Sequence, residues 1–244
     1  MSRAALALAL LLALVSCRTA DAQLDELLKQ FPQLPGQTTT PGSLGEVKIG
    51  QALKQALQVG TENAVKLTGR PDGYFRNQAI KILLPERLKT LEQGLRVIGY
   101  GPQVDELVLG MNRAAEQAAP AAKQIFWDAI GDMTIDDARH ILDGADTAAT
   151  DYFKGKTTAH LTTAFKPIVD KSMSQVGVTR QYDELLGRAR LIPFLDVERF
   201  DLDNYVVGKA LDGLFHVVGD EETKIRTNPA ARVTDLLREV FGRR

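Results

Sequence analysis

From residue 44 to residue 241 apolar side chains return every three or four positions, and they never alternate in pairs for long. That is the period of an α-helix, not of a strand. A chain without sustained period-two alternation cannot present a sheet with one buried face, so the expected class is all-α. The pattern is organised around MNRAAEQAAPAAKQIFW (111–127). There Val104, Leu107, Val108, Met111, Ala115, Ala118, Ala122, Ile125, Phe126 and Ile130 keep one stripe through what reads as the longest helix. Pro120 removes a backbone donor from that helix and should kink it or split it in two, which would let a cleft open at the bend.

The remaining elements follow from their start and stop signals. Ser43 and Glu46 fit a capping box ahead of a helix that runs to Gly69, and the Arg70-Pro71-Asp72-Gly73 run is a turn. Residues 80–84 read as one short extended segment, which alone makes no sheet. It leads into a helix with Pro85 in its first turn and Leu84, Leu88, Leu91, Leu95 and Ile98 as its buried stripe. After a break at 99–102 and the long helix, Thr134 caps a short helix closed by Gly144, and Asp146 caps another carrying Tyr152 and Phe153. Further helices are expected over 157–176, interrupted by Pro167 and closed by Gly177, and over 179–191. A break at 192–194 precedes a helix over 201–218, with Asp201 or Asp203 as its N-cap. Residues 220–227 continue helically, and Asn228-Pro229 leads into a last helix with Leu236, Leu237, Val240 and Phe241. No repeat recurs at a fixed spacing. The expectation is a single compact domain of about nine or ten helices over residues 43–244.

The first forty residues have a different character. Arg3 precedes an unbroken Ala, Leu and Val run over 4–15, too short to span a bilayer but of the right length for a secretory signal. Two processing sites compete. Leu14-Val15-Ser16-Cys17 resembles a bacterial lipobox, in which the cysteine is acylated and residues 1–16 are removed. Ala20-Asp21-Ala22 fits an ordinary signal peptidase, which would remove 1–22. The lipobox is preferred, because Cys17 is the single cysteine and directly abuts the apolar run. Arg18 after it favours sorting to the periplasmic side of the outer membrane; the alternative is a soluble periplasmic protein. Residues 17–42 hold one amphipathic piece (Leu24, Leu27, Leu28, Phe31) and then PQLPGQTTTPG, the composition of a tether. With no second cysteine, the domain must hold its fold without a disulfide.

Several segments resemble one family: LPERL (84–88), MNRAAEQA (111–118), DDARHILDGADTAATDYF (136–153), FDLDNYVVGKALDGLF (200–215) and EETKIRTNPAARVTDLLREVF (221–241). Together they look like bacterial exported proteins catalogued as a domain of unknown function (number forty-one ninety-seven). The likeness spans residues 43 to 242. It implies an all-helical envelope protein with a signal or lipoprotein leader, and it brings no catalytic residue or ligand to carry over.

The charges exclude some functions. With 30 basic and 31 acidic residues the net charge is −1, so no strong field steers the chain to nucleic acid. No P-loop, zincin or nucleophile-elbow pattern occurs, and Gly99-x-Gly101 lacks the third glycine of a dinucleotide fingerprint. His216 reads as a packed helix residue, and His140 and His160 lack metal-ligand spacing. Asp201, Asp203 and Asp212 loosely resemble a calcium loop, but Val206 replaces the glycine its sharp turn needs. Neither a metal nor a cofactor is expected.

Three polar constellations remain. Asn112 and Glu116 share a helix face with Arg113 on its edge; Tyr205, Lys209 and Asp212 share another; Asp146 and Thr150, with Tyr152 nearby, form a third. Converging on one cleft, they could bind anions and exchange protons. Polar pairs at helical spacing are more often ion pairs that fix packing, and that reading is preferred. The expected function is a lipid-anchored, non-enzymatic binding or interaction module of the cell envelope. It would meet the membrane only through its N-terminal lipid and bind an envelope protein or an apolar ligand. Two alternatives stay open: a periplasmic hydrolase or lyase using Arg113, Glu116, Tyr205 and Lys209, and a purely structural lipoprotein.

Overall fold

In the computed structural model the described residues are 41–175, 177–190 and 200–227, with side chains from 47 onward. The leader, Cys17, the tether as far as residue 40, the break at 192–194 and the helix expected after Asn228 lie outside them. The chain divides into units of 1–43 and 44–244, and the packing below is that of the second. Among the described residues the architecture is all-α, with no strand. The helices are α1 (Pro41–Gly69), α2 (Lys89–Val97), α3 (Gly101–Ala118), α4 (Ala122–Gly131), α5 (Ile135–Asp143), α6 (Ala148–Gln175), α7 (Val178–Ala189) and α8 (Leu202–Thr227). Two 3-10 turns, Glu86–Leu88 and Ala119–Ala121, precede α2 and α4.

The described residues hold fewer separate helices than expected, for identifiable reasons. Thr157 does not start a helix: its hydroxyl donates to the Phe153 carbonyl at 2.7 Å, so the chain runs unbroken through α6. Pro167 also stays within α6. It lies on the exposed side, where the carbonyl deprived of its donor faces solvent, a cost a long packed helix can absorb. Pro120 does split the central helix, through the turn Ala119–Ala121. Among the described residues the longest helix is therefore not this one but α1, of 29 residues. The bend opens no described cleft, because Gly69 of α1 packs against the Pro120 ring. Helix α1 begins at Pro41, which puts Ser43 inside the helix rather than ahead of it.

Other boundaries follow their local chemistry. Thr134 and Asp137 form a reciprocal capping box on α5. Asp201 caps α8 by accepting the Asn204 amide at 3.1 Å. Gly177, at φ 73°, occupies the left-handed position between α6 and α7.

Helices α6 and α8 form the central pair, α3 packs on both, α4 and α5 lie on α6, and α7 bridges α2, α3 and α6. Edge-to-face rings join three of them: Phe126 of α4 lies 5.2 Å from Phe153 of α6 and 6.2 Å from Phe215 of α8. Between α1 and α2 runs a connector, residues 70–85, that is mostly turn and ends in 81–85, which belong to neither helix nor sheet. It nevertheless carries fully buried side chains, Tyr74 and Ile82.

Candidate functional site

The polar cluster on α3 acts on that connector. Asn112 is fully buried. Its carbonyl accepts the Ile82 amide at 2.9 Å and its amide donates to the Ile82 carbonyl at 2.8 Å. One side chain thus makes both bonds a neighbouring strand would make, which satisfies backbone that water cannot reach. One turn later Glu116, also buried, accepts the amides of Tyr74 and Phe75 at 3.1 and 3.2 Å. Its other oxygen accepts from Arg113 at 2.6 Å, and Arg113 reaches Asp72 at 2.6 Å. The bond to Glu116, more than any other influence, holds the Arg113 guanidinium above its ordinary pKa. Asp72 is a non-glycine residue at φ 65°, and it also pairs with Arg76. Next to it Gly73 has no room for a side chain: a Cβ would strike the carbonyl oxygens of Leu67 and Thr68.

The second constellation touches the same connector from α8. The Tyr205 hydroxyl donates to the Leu83 carbonyl at 2.9 Å, and burial raises its pKa before any charge does. Lys209 and Asp212 form an exposed ion pair at 3.0 Å. A residue that escaped sequence reading completes the grip. Tyr74 donates to the Ala210 carbonyl at 2.6 Å, against Gly213, where a Cβ would lie 2.6 Å from its ring. Burial, then Glu116, drives the Tyr74 phenol well above the usual tyrosine range.

The third constellation does not form as expected. Asp146 is exposed in the turn before α6 and does not cap it. Glu222 of α8 takes that role, accepting the amides of Ala149 and Thr150 and the Thr150 hydroxyl at 2.8–3.0 Å. Arg226 holds Glu222 at 2.9 Å and donates to the Ile141 carbonyl. The neighbouring buried Glu221 accepts from Asn63 and pairs with Lys224. The signal available for Glu222 was its i, i+4 spacing to Arg226; nothing in the sequence named the helix it would cap.

The three constellations therefore do not converge on one cleft. Asn112, Arg113, Glu116 and Tyr205 grip the connector, Lys209 and Asp212 pair on the surface, and Thr150 helps tie α6 to α8. Of the nine residues only Tyr152 lines any of the four described clefts. That cleft, about 370 Å³, lies between α4 and α6. Ile125, Asp128, Ala129 and Asp132 form one wall, and Tyr152, Lys156, Thr157 and His160 the other. The Tyr152 hydroxyl reaches only 3.4 Å toward the Ala129 carbonyl, a weak bond. Burial, and then Asp137 and Asp132, raise its pKa. Among the described residues the side chains of Asp132 and His160 have no hydrogen-bond or ion-pair partner, and Lys156 overhangs the Tyr152 ring at 5.7 Å and acts through space on the Asp137 carboxylate. The described residues contain no group of three His, Cys, Asp or Glu side chains placed to hold a metal ion, and no helix long and apolar enough to cross a membrane.

Comparison with curated proteins and with solved structures gave no match. A family model described as "Protein of unknown function (DUF4197)" matches residues 43–242, a span that contains the connector, both of its gripping helices and the α4–α6 cleft. The chain belongs to this DUF4197 family.

Proposed function

We propose that the protein is a cell-envelope binding module, tethered at the periplasmic side of the outer membrane through an acylated Cys17. Its helical domain holds a ligand without turning it over. The observation that carries this reading is how the polar residues of α3 are spent. Every oxygen of Glu116 and both ends of the Asn112 amide are bonded to backbone or to Arg113. A general acid or base needs a lone pair free to reach substrate, so the hydrolase or lyase reading built on Arg113, Glu116, Tyr205 and Lys209 loses its support. The purely structural reading is disfavoured by clefts of about 280 to 410 Å³, mostly within the size range of small-molecule sites. Each is lined by at least two ionisable side chains, so the ligand is polar rather than apolar.

Two measurements test the reading. The intact mass of the exported protein should show an acylated N-terminal Cys17; a free Gln23 start would remove the anchor from the proposal. Native mass spectrometry of protein taken from its own envelope should show a retained small molecule. A protein that arrives empty and captures no specific partner would overturn the module itself.

A further inference from the structure

Resting on that reading, we propose that the cleft between α4 and α6 binds a small zwitterion, an amino acid or a short peptide with free termini. Asp128 and Asp132 receive the ammonium, and Lys156 and His160 receive the carboxylate.

The argument begins with charge on each wall. Asp128 and Asp132 stand one helical turn apart on α4 and project into one cleft. Like charges at this spacing repel each other along a helix face. On α6, Lys156 and His160 stand at the same spacing and line the same cleft. The two walls thus carry opposite character and face each other, yet no ion pair joins them among the described residues. Elsewhere in this protein such charges are used up: Arg113 with Asp72 and Glu116, Arg226 with Glu222, Lys224 with Glu221. Here the Asp128 carboxylate is engaged only by Gln124, at 2.7 Å, Lys156 makes only a 5.7 Å contact with the Tyr152 ring and a through-space interaction with Asp137, and the side chains of Asp132 and His160 are left to whatever enters.

The floor between the walls fits the same ligand. Ile125, Ala129 and the Tyr152 ring offer apolar contact for a short aliphatic body. The Tyr152 hydroxyl, only weakly bonded, can turn from Ala129 to a ligand oxygen or nitrogen. A ligand with one charge would leave the opposite wall unanswered. One with an ammonium and a carboxylate answers both, and charge-assisted hydrogen bonds are the stronger kind.

Isothermal titration of the purified whole protein with alanine, alanyl-alanine, N-acetyl-alanyl-alanine and alanyl-alanine amide tests this. The expected result is that a free zwitterion binds and that blocking either terminus weakens binding at least roughly tenfold. Asp132→Asn should weaken alanyl-alanine by a similar factor while leaving the N-acetylated probe unaffected. Lys156→Gln should do so while leaving the amide unaffected. Both residues are exposed, and circular dichroism verifies that the variants fold. Tighter binding of alanine marks an amino-acid site, and tighter binding of the dipeptide a peptide site. The proposal is overturned if blocked probes bind as well as free ones, if the variants bind like the parent, or if no probe binds to the folded protein. Failure to bind sinks this cleft assignment alone, whereas the module falls only if native mass spectrometry also finds it empty and partnerless.

Discussion

Asn112 replaces a missing strand with a single amide. Without it the amide and carbonyl of Ile82 would both be buried unpaired, so Asn112→Ala should lower stability by about 3 kcal/mol, read as a lower urea midpoint with an unchanged slope. The cluster around it was legible in the sequence, because Asn112, Arg113 and Glu116 fall within one turn of helix. Its partners were not: they lie 30 to 42 residues away, and i, i+4 spacing carries no information about a contact that far along the chain. Tyr74 supplies a prediction with a pH sign. Its phenol is raised above the ordinary tyrosine value by burial, so its contribution is intact below about pH 10, where the unfolded phenol is also neutral. Above that the unfolded form ionises, the buried one does not, and stability falls by up to about 1.4 kcal/mol per pH unit. Tyr74→Phe should cost about 1 kcal/mol at neutral pH through the lost bond to Ala210. In urea titrations between pH 9 and 11 it should flatten the alkaline decline, roughly, leaving the smaller share of Tyr152 and Tyr205.

Among elements, α6 and α8 depend on one carboxylate. Glu222 serves as the N-terminal cap of a helix that is not its own, and its partner Arg226 has a side chain only 10% exposed. Glu222→Ala should therefore remove a cap and take from Arg226 the carboxylate that it holds, at about 2–4 kcal/mol. That corresponds to a thermal midpoint lower by roughly 5–10 °C. Helix identity was legible from periodicity alone, whereas helix ends were less so. Thr157 carries a capping side chain yet bonds back to Phe153 in mid-helix. Asp146 offers a cap that a distant glutamate supplies instead.

At the scale of the whole molecule, the joint of Phe126, Phe153 and Phe215 binds α4 to the central pair. The single tryptophan, Trp127, is the next residue on α4. Its fluorescence and the far-UV circular dichroism should then lose their native values at the same urea concentration; a separate, earlier fluorescence transition would mean that α4 melts off by itself. The all-α class was readable before any coordinates. The α4–α6 cleft was not legible there, although Asp128 with Asp132 and Lys156 with His160 stand at one-turn spacing in the sequence. Only the packing of α4 against α6 brings those pairs face to face.

Asn112, Glu116 and Tyr205 hold the connector by its backbone rather than its side chains. These three side chains would find the same amides and carbonyls whatever residue other than proline stood at 75, 82 or 83, provided that the chain followed the same path. Mutational freedom should therefore be unevenly divided in a saturation scan of expression level. Exposed connector positions such as Gln78 and Ala79 should accept almost anything except proline where an amide is needed. Asn112, Glu116, Gly73 and Gly213 should accept almost nothing. An evolving lineage could rewrite the surface of this loop without disturbing the fold, which makes the connector a natural place for relatives to differ from one another.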